Sequence, residues 1–179
     1  MKTNTMIIGA LALLATGITS YAVGKTASQD APMSAATKEH AWLAKHAGNY
    51  TATTSGMMGG AAAANRIDSV MGGLWNVSHF ETTMMGQPFK GMEILGYDPE
   101  QKKFVSVWID SMTPKLMTME GEYDKESKTL TMRGISTGMD GEQAEMVNTT
   151  VFDDTGMTFS MSIEGMDEPV YIIDYDRAK

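Results

Sequence analysis

The chain of 179 residues contains no cysteine and is poor in positive charge, with 14 Lys and Arg against 22 Asp and Glu. The absence of cysteine excludes disulfides, thiol nucleophiles and metal sites with Cys ligands. A formal net charge of -8 without a basic run argues against binding to nucleic acid or to anionic membranes. The chain also lacks the Gly-x-Ser-x-Gly motif of hydrolases and a phosphate-binding loop. Its length suits one domain with a sizeable core.

The N-terminal segment has the layout of a secretory signal peptide. Lys2 and an apolar run at residues 6–18 (MIIGALALLATGI) precede the small-residue site Ser20-Tyr21-Ala22. We predict cleavage after Ala22, which makes residues 1–22 the signal peptide. The run is shorter than the ~20 apolar residues that a membrane span needs, so an uncleaved anchor is the less favoured alternative. The mature protein is therefore expected to be periplasmic or secreted, without membrane contact.

A flexible linker and a short helix are predicted next. The linker covers residues 23–37, which are small and polar. The helix is predicted from Lys38 to Ala47, with Thr37 as its N-cap and Gly48 after its end. One face carries His40, Leu43, Ala44 and Ala47. Because so short a helix is not stable alone, we expect it to dock on the domain formed by residues 38–179.

From Asn49 onward, apolar and polar residues alternate with the period of two that marks strands with one dry face. The clearest case is the strand with Met157, Phe159, Met161 and Ile163 on one face. The other predicted strands cover residues 49–54, 63–71, 74–84, 89–97, 104–111, 117–123, 130–136, 146–152 and 170–175. Turn signals occur at residues 98–99, 124–127, 140–141 and 153–156. The pattern predicts an all-β fold: an antiparallel up-and-down barrel of about ten strands with a short N-terminal helix. A two-sheet sandwich is the alternative.

Several short motifs carry a family resemblance. They are Glu39-His40-Ala41-Trp42-Leu43, Gly48-Asn49-Tyr50, Pro88-Phe89-Lys90-Gly91, Gly96-Tyr97-Asp98, Trp108-Ile109-Asp110-Ser111 and Tyr175-Asp176-Arg177. Together they resemble a bacterial family known as domain of unknown function 1579, over residues 40–177 and most specifically over 91–111. The resemblance implies a lipocalin-like (calycin) barrel and brings no established activity with it. The methionine content and the Gly/Ala-rich stretch 56–64 depart from the family pattern.

The strand predicted at residues 104–111 supplies the main candidate site. One face carries Phe104, Ser106, Trp108 and Asp110, and the other carries Val105, Val107 and Ile109. Because the second face is uniformly β-branched, either face can point inward. The candidate ligand-binding residues are Trp75, Phe89, Glu93, Tyr97, Trp108 and Asp110. For Asp110 we favour another role, at a strand end where its carboxylate accepts hydrogen bonds from turn amides.

Three functions remain open. The leading hypothesis is a carrier whose barrel encloses a small hydrophobic or amphipathic molecule, with no cofactor. The second is an enzyme that uses the carboxyl groups of Glu93 and Asp110 for acid/base catalysis. The third is a protein of the cell envelope that contacts a partner through its linker and its Met-rich loops.

The 18 methionines bear on the third hypothesis and on metal binding. Thioethers are ligands for Cu(I), and the pairs Met57-Met58 and Met84-Met85 lie in or near predicted loops. Many of the methionines alternate with Phe, Ile and Tyr, as in Met157-x-Phe159-x-Met161, which favours flexible core filler. No His-x-His or His-Glu-x-x-His spacing occurs, and His79 is only a weak candidate ligand for haem or metal. We therefore predict no metal site.

Overall fold

The computed structural model describes residues 36–56, 60–137 and 142–178. Ten antiparallel strands follow one another in chain order and close into a barrel, because the last strand pairs with the first. The elements are α1 (Lys38–Lys45), β1 (Gly48–Ser55), β2 (Ala62–Val70), β3 (Trp75–Met84), β4 (Gln87–Asp98), β5 (Lys103–Asp110), β6 (Met117–Asp124), β7 (Thr129–Thr137), β8 (Gln143–Phe152), β9 (Gly156–Ile163) and β10 (Tyr171–Arg177). The predicted up-and-down barrel with a short N-terminal helix is confirmed.

Some predicted segments fall outside these residues. They are the signal peptide at 1–22, nearly all of the linker, the pair Met57-Met58 and the turn at 140–141. In the part of the chain that the structure does describe, no helix is long and apolar enough to cross a bilayer.

Alternation along each strand decides which side chains reach the interior. In β1, Tyr50, Ala52 and Thr54 are buried and the residues between them are exposed. In β5, Phe104 and Ser106 are buried, whereas Ile109 is 48% exposed on the outer surface. The face of β5 that carries Trp108 and Asp110 therefore points inward, which answers the question that its sequence left open.

Helix α1 begins with the predicted cap. The Thr37 hydroxyl accepts a hydrogen bond from the Glu39 amide (3.2 Å), and the Thr37 amide donates to His40 Nδ1 (3.0 Å). The helix ends at Lys45, two residues earlier than predicted, because His46 takes the C-cap position and β1 begins at Gly48.

Helix α1 closes the barrel end that carries the β2–β3 turn. Leu43 is 1% exposed, and its carbonyl oxygen accepts a hydrogen bond from the buried Asn76 Nδ2 (2.7 Å). Trp42 packs against three aromatic rings of the barrel, with centroid distances of 4.3–5.4 Å: Tyr123, Phe152 and Phe104. The buried face of the helix therefore includes Trp42 as well as the predicted His40 and Leu43.

Three of the predicted turns are held by aspartate carboxylates at strand ends, Asp98, Asp124 and Asp153. Their oxygens accept hydrogen bonds from the backbone amides of Gln101, Glu126 and Thr155. These amides hold the pKa of each carboxyl below its usual range. The stabilisation is present above the ordinary pKa of aspartate and is lost as the pH falls through the lowered values.

Arg177 at the end of β10 binds the C-terminal end of α1. Its guanidinium donates to the carbonyl oxygens of Lys45 and Ala47 and lies over the Tyr50 ring, 5.7 Å from the centroid. Positive charge at a helix C-terminus is favourable, so this contact ties the last strand to the helix.

We expect Arg177→Ala to lower the free energy of unfolding by about 1–2 kcal/mol, since two charged hydrogen bonds to carbonyl groups are lost. Urea denaturation measures this change. The matched control is Arg133→Ala, which removes an exposed ion pair with Glu145 (2.8 Å) and is expected to cost no more than about 0.5 kcal/mol. If both variants lost the same free energy of unfolding, Arg177 would not stabilise the contact between β10 and α1 as proposed.

Candidate ligand-binding cavity

The barrel encloses a cavity of about 660 Å³ between α1 and the opposite loops. Its wall is mostly apolar. Among the described residues, eight methionines line it: Met84, Met112, Met117, Met119, Met132, Met146, Met157 and Met161. Unbranched thioether side chains adapt to irregular shapes, so this wall suits guests of varied outline. The methionines and aromatic residues thus line the interior without filling it.

The cavity extends to the barrel end opposite α1, where the β5–β6 loop lines it with Met112, Thr113, Lys115 and Leu116. The same end carries large apolar side chains in contact with water. Their exposed fractions are 72% for Met85, 57% for Met112, 64% for Leu116, 59% for Ile135 and 43% for Met166. Exposed apolar side chains around the end of a cavity are typical of a binding entrance.

Four of the predicted site residues line the cavity: Phe89, Glu93, Trp108 and Asp110. The rings of Phe89 and Trp108 stack with their centroids 6.4 Å apart. The Trp108 ring also lies flat against Gly91, where an added Cβ would come within 2.1 Å of the ring. Glycine at this position therefore allows the indole to lie along the wall, which leaves the centre of the barrel free.

Asp110 occupies a strand end and holds the loop that follows. Its carboxylate accepts hydrogen bonds from Trp108 Nε1 (3.0 Å) and from the backbone amides of Met112 (2.8 Å) and Thr113 (3.0 Å). These contacts match the favoured interpretation of a carboxylate that stabilises a turn. They also fix the orientation of the Trp108 ring in the wall.

Two predicted residues do not reach the cavity. Trp75 lies on the outer face of β3, where its ring covers Gly96 of β4, because its odd position in the strand points away from the buried Asn76. Its predicted place in the cavity is corrected accordingly. Tyr97 does face inward, but it lies beneath α1, packed edge-on against His40 and Phe104.

The weak metal candidate His79 also lies on the outer face of β3. Its Nε2 is 3.7 Å from the Asp68 carboxylate, and both side chains are in contact with water. Among the residues that the structure describes, no group of three or more His, Asp or Glu side chains is placed to hold a metal ion.

Glu93 is the most unusual group of the cavity. It lies within the barrel, and the accessible part of its side chain faces the cavity. Burial raises the pKa of its carboxyl, and the Ser106 hydroxyl beside it acts in the opposite direction, although that contact falls outside the geometry of a formed hydrogen bond. No salt bridge of the described residues involves Glu93.

Comparison with protein-family models matches residues 35–174 to a protein family of unknown function, DUF1579. The chain belongs to the DUF1579 family. The match runs from the cap of α1 into β10, so it covers the helix and nearly the whole barrel, and it confirms the family indicated by the short motifs. A search of curated proteins finds no match.

Several polar residues of this DUF1579 barrel were not predicted as site residues. Tyr171, Tyr175, Asn76 and Asn148 all line the cavity. Burial raises the pKa of Tyr175 strongly, and the negative charge of Glu93 raises it further. Two of these polar residues carried a usable signal in their strands, because Tyr175 lies between Asp174 and Asp176, and Asn148 shares a face with Met146 and Phe152.

Proposed function

We propose that this DUF1579 protein is an exported lipocalin-like carrier that binds a small apolar or amphipathic molecule inside its barrel. The observation that carries the proposal is the cavity of about 660 Å³. Small-molecule sites are typically apolar clefts of about 300–1,000 Å³ with a few convergent polar groups. This cavity falls in that range and combines a methionine- and aromatic-rich wall with Glu93 and two tyrosines.

The two ends of the barrel support a defined direction of entry. At one end, α1 packs across the barrel through Trp42 and Leu43. At the other, the exposed apolar side chains of Met112 and Leu116 also line the cavity. A hydrophobic guest would therefore meet apolar surface first at the end opposite the helix.

The export part of the proposal rests on the N-terminal sequence, with its apolar run at residues 6–18 and the small-residue site at 20–22. Expression of the full chain in a Gram-negative host tests it. We expect the protein in the periplasmic fraction or the medium, with its N-terminus at Val23. Full-length protein in the cytoplasm would contradict export.

Binding is tested with the uncharged dye N-phenyl-1-naphthylamine, whose fluorescence rises in apolar surroundings. Thr150 and Thr149 are adjacent in β8, and Thr150 lines the cavity whereas Thr149 faces outward. We expect Thr150→Trp to weaken dye binding at least about tenfold, because the indole occupies space that the dye needs, a loss of about 1.4 kcal/mol. The matched Thr149→Trp is expected to bind as the unaltered protein does.

Native mass spectrometry of the freshly purified protein provides an independent readout, and we expect an additional mass from a ligand acquired during expression. No additional mass, together with no dye uptake at 50 µM dye, would refute the carrier function. Equal weakening by the two tryptophan variants would place the dye outside the barrel.

A further inference from the structure

The charge distribution inside the barrel narrows the class of ligand. The carboxyl groups that line the described cavity are those of Glu93 and Asp110, and its basic side chains are those of His46 and Lys115. The Asp110 carboxylate already accepts hydrogen bonds from the Trp108 indole and from two loop amides. Lys115 belongs to the exposed β5–β6 loop. Glu93 is therefore the acidic group of the interior wall that is available to a guest.

His46 does not supply a counter-charge to Glu93. It lies at the helix end, where its ring packs against Trp42 and Phe152 at centroid distances of 4.6 and 4.5 Å. Burial lowers its pKa from 6.5, so the imidazole is neutral at pH 7.5. Tyr171 and Tyr175 are neutral at that pH as well, since burial raises the pKa of both.

A second observation concerns hydrogen-bond acceptors. Among the described residues, three buried side-chain oxygens have no hydrogen-bond partner in the protein: Asn76 Oδ1, Ser106 Oγ and Asn148 Oδ1. The amide nitrogens of Asn76 and Asn148 already donate, to the Leu43 carbonyl oxygen (2.7 Å) and to Met119 Sδ (3.2 Å). Their amide oxygens can only accept. Unpaired acceptors in an apolar interior are costly, but these three oxygens are buried within the wall, so a guest in the cavity does not reach them.

An aromatic ring near Glu93 favours a ligand that carries a positive charge. Trp108 is the register partner of Glu93 on the neighbouring strand, and both side chains face the cavity. Side chains directly opposite each other in an antiparallel pair lie about 5 Å apart at Cβ. A cation beside the Glu93 carboxylate would therefore also lie near an indole ring, which attracts cations.

We propose that the cavity selects amphipathic ligands with a basic nitrogen, whose protonated amine binds the Glu93 carboxylate while the apolar part lies against the methionines. This inference rests on the proposed carrier function. An alkyl carboxylate of the same length is disfavoured at this position, because its negative charge would be buried beside an acidic group that has no salt-bridge partner among the described residues.

A matched series of twelve-carbon ligands tests the selectivity: dodecylamine, dodecanol and dodecanoic acid, each used below its micellar concentration to displace N-phenyl-1-naphthylamine at pH 7.5. For the unaltered protein we expect dodecylamine to bind at least about tenfold more tightly than dodecanol, and dodecanoic acid to bind most weakly. In Glu93→Gln we expect the amine to lose this advantage, while dodecanol affinity changes less than about threefold.

The control variant is Glu81→Gln, since Glu81 lies on the outer face of β3 in an exposed ion pair with Lys90. It is expected to keep the preference for the amine. Binding of all three ligands with similar affinity, or an amine preference that survives in Glu93→Gln, would overturn the selectivity while the carrier function stands. Failure of the dye to bind, together with the absence of a co-purified ligand mass, would refute the carrier function itself.

Discussion

Replacing Trp42 with alanine is expected to lower the free energy of unfolding by about 3–5 kcal/mol, the cost of removing a large aromatic side chain from a packed site. The indole contacts Phe104, Tyr123 and Phe152 from three strands, at centroid distances of 5.4, 4.3 and 5.0 Å. It also packs against His46 at 4.6 Å. Aromatic pairs in these orientations add about 0.5–1.5 kcal/mol beyond the burial of their area.

The effect is large because a helix of 8 residues has little stability of its own. Without Trp42, α1 remains attached through Leu43 and the Arg177 contacts, and the barrel end beneath it becomes accessible to water. Urea denaturation measures the loss, and circular dichroism shows whether the strands persist.

The matched control is Trp75→Ala, the same substitution on the outer surface. Its ring covers Gly96 and is partly in contact with water, so we expect a loss of only about 1–2 kcal/mol. Losses of the same size for both variants would mean that the helix does not depend on Trp42 for docking.

The second large effect is expected from Glu93→Gln, which should raise the free energy of unfolding at pH 7.5 by roughly 1–3 kcal/mol. In the folded protein the carboxyl is enclosed, without a cationic partner among the described residues, and burial raises its pKa above the ordinary 4.5. Glutamine has nearly the same shape and can hydrogen-bond without carrying a charge.

The direction of the pH dependence of stability follows from proton binding to Glu93. Between pH 4.5 and the raised pKa of Glu93, the folded state holds a proton that the unfolded state has released. The stability of the unaltered protein therefore falls as the pH rises through this window. The advantage of the variant should be absent below pH 4.5 and fully developed above the raised pKa. Tyr175 and Tyr171 do not contribute there, since their pKa values are raised above 10.

Thermal unfolding of both proteins between pH 4 and pH 8 measures this difference. A variant less stable than the unaltered protein at pH 8 would show that the carboxylate has a stabilising partner. If the expected gain is observed, the carboxyl is retained at a cost in stability. Such a cost is typical of groups kept for binding or catalysis.

Much of the fold follows from local signals in the sequence. The observed strands lie within a few residues of those predicted, because period-two alternation and Asp-containing turns act over short distances. Thr37 was identified as the cap of α1 for the same reason, since a capping hydroxyl acts on an amide two residues away. The family resemblance indicated a lipocalin-like barrel in particular. Strand alternation and turns are compatible with that barrel but also with a two-sheet sandwich.

The candidate site was predicted in part. Phe89, Glu93, Trp108 and Asp110 were grouped correctly, because β4 and β5 are adjacent in sequence and their alternation places these residues on one face. Trp75 was misplaced because its strand offers apolar residues at odd positions and polar Asn76 and Ser78 on the face that points inward. Tyr175 was missed because it lines the same cavity as Glu93 from β10, a strand far from β4 in the chain.

The sequence by itself determined the elements of this protein: a capped helix, about ten alternating strands, their turns and the membership of DUF1579. Only the tertiary structure decided that the ends meet, with Tyr50 opposite Arg177, that the face of Trp108 points inward and that a cavity remains at the centre. The alternation of apolar and polar residues along a strand indicates which side chains are buried. It does not indicate what lies across the barrel from them, because closure and the space it encloses depend on packing between residues more than a hundred positions apart.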